Sequence, residues 1–142
     1  MRPAASDPYY TPVCEEPDKV AITDLLNRLT FAVDERDPEK WAACFTEDGS
    51  FQSPNGKWTG KEAQRELMTG ELGFPRRQHI VTCLLIEGDG DRASARANGP
   101  VFEESDGSYY PMNFSGQEHH LVRVDGEWLI ESTIRHRPQN PS

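Results

Sequence analysis

The sequence predicts an α+β fold in which helices precede an antiparallel sheet. Apolar residues recur every three or four positions over residues 18–35, as on one side of an amphipathic helix. After Gln78 the pattern changes to runs typical of strands, separated by turns rich in Gly and Asp. Asp125-Gly126 is a strong β-hairpin signal. The predicted order is helix, helix, strand, helix and a four-stranded meander, which encloses a pocket if the sheet curves around the first helix.

The first predicted helix has one continuous apolar stripe and a second, mixed face. The stripe consists of Ile22, Leu25, Leu26, Leu29, Ala32 and Val33. At about 100° per residue, Asp34 falls outside this stripe and shares the second face with Val20, Asn27 and Phe31. A helix with apolar residues on two sides is often buried on both, so Asp34 is a candidate for a buried position.

Two more helices and a strand are predicted before the meander. Asp37 is a favoured N-cap and proline suits the first helical position, which predicts a second helix over about Pro38–Phe45. A strand is expected near Ser50–Ser53. The segment Thr59-Gly60-Lys61-Glu62 has the spacing of a capping box, which predicts a third helix to about Thr69.

The meander is predicted from four consecutive segments. His79–Glu87 is a nearly continuous apolar strand, and Arg92–Val101 alternates as a half-buried strand does. Ser108–Val124 is long enough for a bent strand. The turn at Asp125-Gly126 pairs it with Glu127–Arg137.

The 142 residues fit one domain with a modest core, which we place at residues 18–137. Residues 1–17 carry four prolines and no periodicity, so they are interpreted as an arm that is either mobile or packed on a partner subunit. Residues 138–142 form a short tail.

Composition excludes several classes of partner. The net charge of −9 argues against nucleic acid and anionic membranes as partners. No apolar run approaches the roughly 20 residues of a membrane span, and the first residues lack an apolar secretion segment. We therefore expect a cytoplasmic protein.

The cysteines indicate a reducing compartment. Cys14, Cys44 and Cys83 are odd in number and widely spaced, which argues against a disulfide framework and a structural zinc site. Cys44 follows a helical apolar face and Cys83 lies within an apolar strand, so both are predicted to be small core residues.

Short motifs occur in a fixed order along residues 18–137. They are Ile22-Thr23-Asp24-Leu25-Leu26, Val33-Asp34-Glu35-Arg36-Asp37, Trp41, Phe45-Thr46-Glu47-Asp48-Gly49, Gly60-Lys61-Glu62-Ala63, His79 and Val124-Asp125-Gly126-Glu127-Trp128-Leu129-Ile130. Together they resemble the SnoaL-like family of the nuclear-transport-factor-two-like superfamily, which includes polyketide cyclases, scytalone dehydratase, a bile-acid dehydratase and the dehydrochlorinase LinA. The resemblance implies a cone-shaped curved sheet wrapped around the N-terminal helices, an internal cavity, and a homodimer or homotrimer.

In the acid–base enzymes of this superfamily, an Asp near the end of the first helix pairs with a His at the start of the meander. Asp34 and His79 match these positions and are the predicted catalytic pair. The carboxylate would orient the imidazole and fix its tautomer, leaving a base for dehydration, elimination, isomerisation or cyclisation without metal or redox cofactor. Local sequence alone favours the alternative, in which Asp34 is an exposed helix-end acid and His79 a hydrogen-bonded residue at the start of a strand.

The chain departs from its relatives beside Asp34. The dehydratases carry a Tyr and the dehydrochlorinase a Lys at or near this point, where this sequence has Leu29, Thr30 and Val33. Because neither a phenol nor an ammonium group is present there, the specific substrates of those enzymes are not expected.

Further candidates come from the alternation of side chains along strands. Gln117 and His119 share one face of a strand and Arg135 lies on the next, so each is a candidate to polarise a carbonyl, or else part of a solvated polar face. Apolar candidates for the substrate wall, or else for the core, are Phe31, Phe51 and Trp58. Adjacent strand residues point to opposite faces, so His119-His120 is not a metal site.

We therefore expect a cofactor-independent lyase, isomerase or cyclase acting on a small hydrophobic, polyketide- or steroid-like substrate. The alternative is a non-catalytic ligand-binding module, or one like the small subunit of ring-hydroxylating dioxygenases. An epoxide hydrolase is a third option, but no Asp-Arg-Asp set is evident.

Overall fold

The structure is a computed structural model that describes residues 14–69 and 76–136, together with Ser6 and Pro8. The helices are α1 (Glu16–Glu35), α2 (Pro38–Ala43) and α3 (Lys61–Thr69). The strands are β1 (Phe45–Ser53), β2 (Gly56–Thr59), β3 (Arg77–His79), β4 (Cys83–Asp89), β5 (Arg92–Ser105), β6 (Ser108–Val124) and β7 (Glu127–His136). Most of the predicted arm and the whole predicted tail lie outside the described residues. Among the described residues, no helix is both long and apolar enough to cross a membrane.

The strands form one curved, unclosed sheet of seven strands in the order β2-β1-β7-β6-β5-β3, with β4 also paired to β5. The predicted α+β class is confirmed, but the sheet is mixed because β1 runs parallel to β7. β1 is also longer than the strand predicted near Ser50–Ser53. Pairing with the distant β7 extends it, and such pairing leaves no local sequence pattern.

The core lies between α1 and the inner face of the sheet. The stripe predicted on α1 is the buried side of the helix, with Ile22 and Ala32 fully enclosed. Small residues of β5, including Ala95, and the larger Leu121 and Ile130 of β6 and β7 complete this layer. Burial of each large aliphatic side chain stabilises the fold by about 1.5–3 kcal/mol.

The end of α1 fixes the position of Asp34. Arg36 adopts a left-handed conformation with φ of 56° and its N–H donates to the carbonyls of Ala32 and Val33, which ends the helix. The N–H of Asp37 donates to Ala32 as well, over 2.9 Å. As predicted, the Asp37 side chain caps α2, accepting from the N–H groups of two residues in its first turn. Asp34 therefore lies in the last turn of a helix with a fixed end.

The prediction of one nearly continuous strand over His79–Glu87 is wrong. The segment is interrupted at residues 80–82, and Leu84 and Leu85 are exposed. Cys83 is exposed too, so its prediction as a core residue is wrong, whereas Cys44 is buried as predicted. The physical reason is that, among the described strands, β3 and β4 pair only with β5 and therefore form an edge of the sheet.

Candidate active site

Asp34 and His79 are in direct contact, although 45 positions separate them in the chain. The distance from Nδ1 of His79 to Oδ1 of Asp34 is 2.6 Å. The backbone N–H of His79 also donates to both carboxylate oxygens, over 3.2 and 3.1 Å. The two side chains are only 12% and 8% exposed. The carboxylate thus holds both the backbone and the ring of His79.

This contact assigns the tautomer of His79. An ionised carboxylate only accepts hydrogen bonds, so Nδ1 carries the hydrogen in the neutral imidazole. His79 is one of the residues that line a cavity. Nε2, with its lone pair, is the ring nitrogen that Asp34 does not engage, and a general base requires such a nitrogen.

The cavity is lined by the C-terminal half of α1 and by residues of the strands β1, β3, β5, β6 and β7. Its apolar wall includes Leu29, Val33, Trp41, Phe51 and Val101. Its volume is about 50 Å³. Ligand sites for drug-sized molecules measure roughly 300–1,000 Å³, so a substrate of that size requires lining side chains to move.

Polar groups on β6 and β7 complete the lining. Gln117 and Arg135 both line the cavity, and the Nε–H of Arg135 donates to Oγ of Ser115 over 3.1 Å. These neighbouring strands place an amide and a guanidinium on the same cavity as the His79 ring. Both are donors suited to a carbonyl oxygen.

The apolar residues predicted from the sequence divide between different environments. Phe51 lines the cavity and contacts Trp41, with ring centroids 5.4 Å apart. Trp58 packs on Phe51 at 6.1 Å without reaching the cavity lining. Phe31 is 65% exposed and lines a separate groove of about 620 Å³ beside the β6–β7 turn. Phe31 therefore lies on a different side of α1 from Leu29 and Val33, away from the cavity, contrary to the prediction.

His119 is also placed differently from its prediction. Its side chain is 1% exposed, it does not line the cavity, and its Nδ1 lies 2.8 Å from Oγ1 of Thr133. Burial, with a smaller contribution from the charge of neighbouring His120, lowers the pKa of His119 to about 4. The imidazole is therefore a neutral core group at pH 7.

Several lining residues were missed by the sequence-based prediction. Asn98, Gly99 and Pro100 of β5 line the cavity, as do Ile80 and Val81. A signal was available, because Gly followed by Pro inside an alternating strand marks a bulge or a close backbone approach.

Among residues 14–69 and 76–136, no group of three or more His, Cys, Asp and Glu side chains is arranged to hold a metal ion. Two other acids of α1 pair elsewhere. Asp18 accepts from Arg123 over 2.7 Å, and Asp24 lies 3.0 Å from Arg28 on the surface.

Comparison with known proteins gives family and fold. Residues 15–134 match the model of the SnoaL-like domain family. A search of curated proteins finds no match to this sequence.

Solved structures share the fold. One is a protein of unknown function from Mycobacterium tuberculosis, an Asp-to-Asn variant, at 29% identity and TM-score 0.81, covering 87% of this chain and 73% of that one. An NTF2-like protein with a cystatin-like fold from Novosphingobium aromaticivorans has 20% identity and TM-score 0.81, with 89% and 85% covered. A protein from the same organism, provisionally assigned as a scytalone dehydratase, has 21% identity and TM-score 0.74, with 87% and 85% covered.

The family match spans most of the chain, and the solved structures share its fold of N-terminal helices and a curved sheet. The chain belongs to the SnoaL-like family and has the nuclear-transport-factor-two-like fold.

Proposed function

We propose that this protein is a cofactor-independent acid–base enzyme, a lyase, isomerase or cyclase, that acts on a small hydrophobic carbonyl compound. The observation that carries the proposal is the 2.6 Å contact between His79 and Asp34 at the wall of an apolar cavity. A carboxylate-oriented imidazole in such a cavity is the minimum equipment for removing a proton next to a carbonyl.

In the proposed first step, Nε2 of His79 takes a proton from the carbon adjacent to the substrate carbonyl. The bonding electrons move into the carbonyl and form an enolate. The imidazole becomes an imidazolium, and Asp34 stabilises this charge through the hydrogen bond at Nδ1. The proton then returns to the leaving hydroxyl in a dehydration, or to another carbon in an isomerisation.

The enolate oxygen needs donors fixed before the reaction. Gln117 and Arg135 are proposed for this role because both line the cavity that His79 lines. The bond from Arg135 to Ser115 restricts the guanidinium. Such electrostatic stabilisation is worth about 3–4 kcal/mol per donor in comparable sites.

The cavity wall indicates the substrate class. Trp41 and Phe51 form an aromatic surface, and Leu29 and Val33 add aliphatic surface. Flat, largely apolar molecules such as polyketide- or steroid-like ketones match this wall, because aromatic faces favour stacked or tilted contact.

Deuterium exchange tests the proposal. The probe is a panel of bicyclic aromatic ketones, 1-tetralone and 2-tetralone with their hydroxylated forms, followed in D₂O by proton NMR. The wild-type protein is expected to accelerate exchange at the α carbon, and His79→Ala to abolish the acceleration. His120→Ala is the matched control, since His120 is an exposed histidine of the same sheet. Equal rates for wild type and His79→Ala would contradict the proposal.

A non-catalytic binding module is the second candidate. It is favoured by exposed apolar residues on the outer sheet, which offer a surface for a partner chain. Isothermal titration with the same ketones separates the two functions. Binding that His79→Ala leaves unchanged, without exchange, would identify the binding module.

We also propose that the chain forms a homodimer or homotrimer through the outer face of the sheet. Leu85 and Phe114 are 47% and 61% exposed, which is unusual for large apolar strand residues. Light scattering on a sizing column tests this. Leu85→Lys with Phe114→Lys should reduce the mass to that of one chain, while Asn27→Lys, at an exposed position of α1, should not. A monomeric wild type would contradict the proposal.

A further inference from the structure

The segment that joins β3 to β4 contains one residue more than the part of β5 that it faces. His79 stands opposite Val101 of β5, and Cys83 stands opposite Asn98. Residues 80–82 between them therefore face only Gly99 and Pro100. Three residues opposite two make a β-bulge, which bends a strand and redirects its side chains.

The extra residue decides which face His79 occupies. Directly opposed residues share a face of a sheet. His79 lies opposite Val101 and Ile86 lies opposite Ala95, and both partners are 1% exposed. His79 and Ile86 are seven positions apart, so regular alternation would put them on opposite faces. Without the bulge, His79 would turn to the outer face, away from Asp34.

Gly99 makes room for this bulge. A Cβ atom on Gly99 would lie 1.6 Å from the carbonyl oxygen of Ile80 and 2.7 Å from its carbonyl carbon. Both atoms belong to the backbone of the residue that follows His79, so no side-chain rotation relieves the overlap. Backbone hydrogen bonds join the bulge to β5. The N–H of Ile80 donates to the carbonyl of Pro100 over 3.1 Å, and the N–H of Thr82 donates to the carbonyl of Asn98 over 2.9 Å.

We infer that Gly99 is a positioning residue, whose missing side chain admits the bulge that turns His79 toward Asp34 and the cavity. Gly99 has no side chain to offer a substrate, and it acts through its close approach to the backbone of Ile80, the residue after His79. The consequence for catalysis rests on the proposed function. The consequence for the His79–Asp34 contact does not, and the two can be tested separately.

The test is nitrogen NMR of the full chain labelled in its histidine rings, with a His79→Asn variant to assign the His79 signals. Wild type is expected to show the Nδ1–H tautomer of His79. Gly99→Ala should lose that form and revert to the Nε2–H form that predominates in water. Gly116→Ala is the matched control, because a Cβ there meets nothing within 4 Å.

A rescue variant sharpens the test. Deleting Val81 from Gly99→Ala leaves two residues opposite two, so the overlap disappears while His79 stays opposite Val101. The double variant should regain the Nδ1–H tautomer, and it carries the test if Gly99→Ala alone does not fold. Retention of the wild-type signals in Gly99→Ala, or their absence in the double variant, would overturn the inference. Absent exchange activity in a wild type with the Nδ1–H signal would overturn only the proposed function.

Discussion

Two enclosed histidines on the same sheet have opposite chemical surroundings. His79 lies at the bulged edge of the sheet, bound to a carboxylate at 2.6 Å, and is one of the residues that line a cavity. His119 lies on β6, between β5 and β7, bound to the hydroxyl of Thr133 at 2.8 Å and fully buried. A charged partner and access to a cavity equip His79 for proton transfer, whereas burial keeps His119 neutral and structural.

The largest expected effect comes from removing the carboxylate charge of Asp34, which distinguishes the surroundings of His79 from those of His119. Asp34→Asn preserves the shape but presents an amide to Nδ1, which favours the wrong tautomer. The exchange rate on the ketone probes should fall about 10²–10⁴-fold, as in other oriented imidazoles. A loss below threefold would show that Asp34 does not support the base.

The second prediction concerns the pH dependence of stability at His119. Its pKa is about 4 in the folded state and 6.5 when exposed, so the unfolded chain binds the proton more readily. The contribution of neutral His119 to the free energy of unfolding is complete above pH 6.5. It is lost as the pH falls toward 4, by at most about 3 kcal/mol.

Urea unfolding of wild type and His119→Gln between pH 7 and pH 4 measures this loss. Wild type should lose more unfolding free energy than the variant over that interval. Parallel pH profiles for the two proteins would contradict the assignment of His119 as a neutral core group.

A smaller effect is expected from the partner of His119. Thr133→Val leaves Nδ1 of a buried imidazole without its hydrogen-bond partner at nearly constant volume. The unfolding free energy should decrease by about 1–3 kcal/mol at pH 7. Thr133→Ser keeps the hydroxyl and should lose clearly less, so equal losses for the two variants would argue against the hydrogen bond.

The smallest effect is expected at His120, the exposed neighbour on the outer face. Its Nε2 lies 3.1 Å from Glu118, and the two side chains are 48% and 41% exposed. Exposed pairs contribute little, so His120→Gln should change the unfolding free energy by less than about 0.5 kcal/mol. A loss comparable to that of Thr133→Val would show that solvent does not screen this face.

The secondary structure follows closely from the sequence where the pattern is local. α1 begins and ends near its predicted bounds, and β6 spans Ser108–Val124 as predicted. The cap at Asp37 and the turn at Asp125-Gly126 depend on residues within a few positions of each other. Local hydrogen bonds and backbone preferences suffice for these features.

The prediction failed where exposure depends on distant strands. Cys83, Leu84 and Leu85 have the composition of a buried strand but lie on an edge, because nothing among the described strands pairs beyond them. Phe31 and His119 have the right character for a binding site, yet one faces another groove and the other the core. Periodicity assigns residues to faces without indicating what covers each face.

The sequence by itself determined the α+β class and the apolar stripe of the first helix, and through its motifs it indicated the family and named Asp34 and His79 as a candidate pair. Only the tertiary structure decided that the two residues are in contact, that the carboxylate holds both ring and backbone of His79, and that a bulge opposite Gly99 turns the ring inward. The physical reason is that a one-residue change of register reverses every side chain of a strand, and register is set by contacts with distant segments.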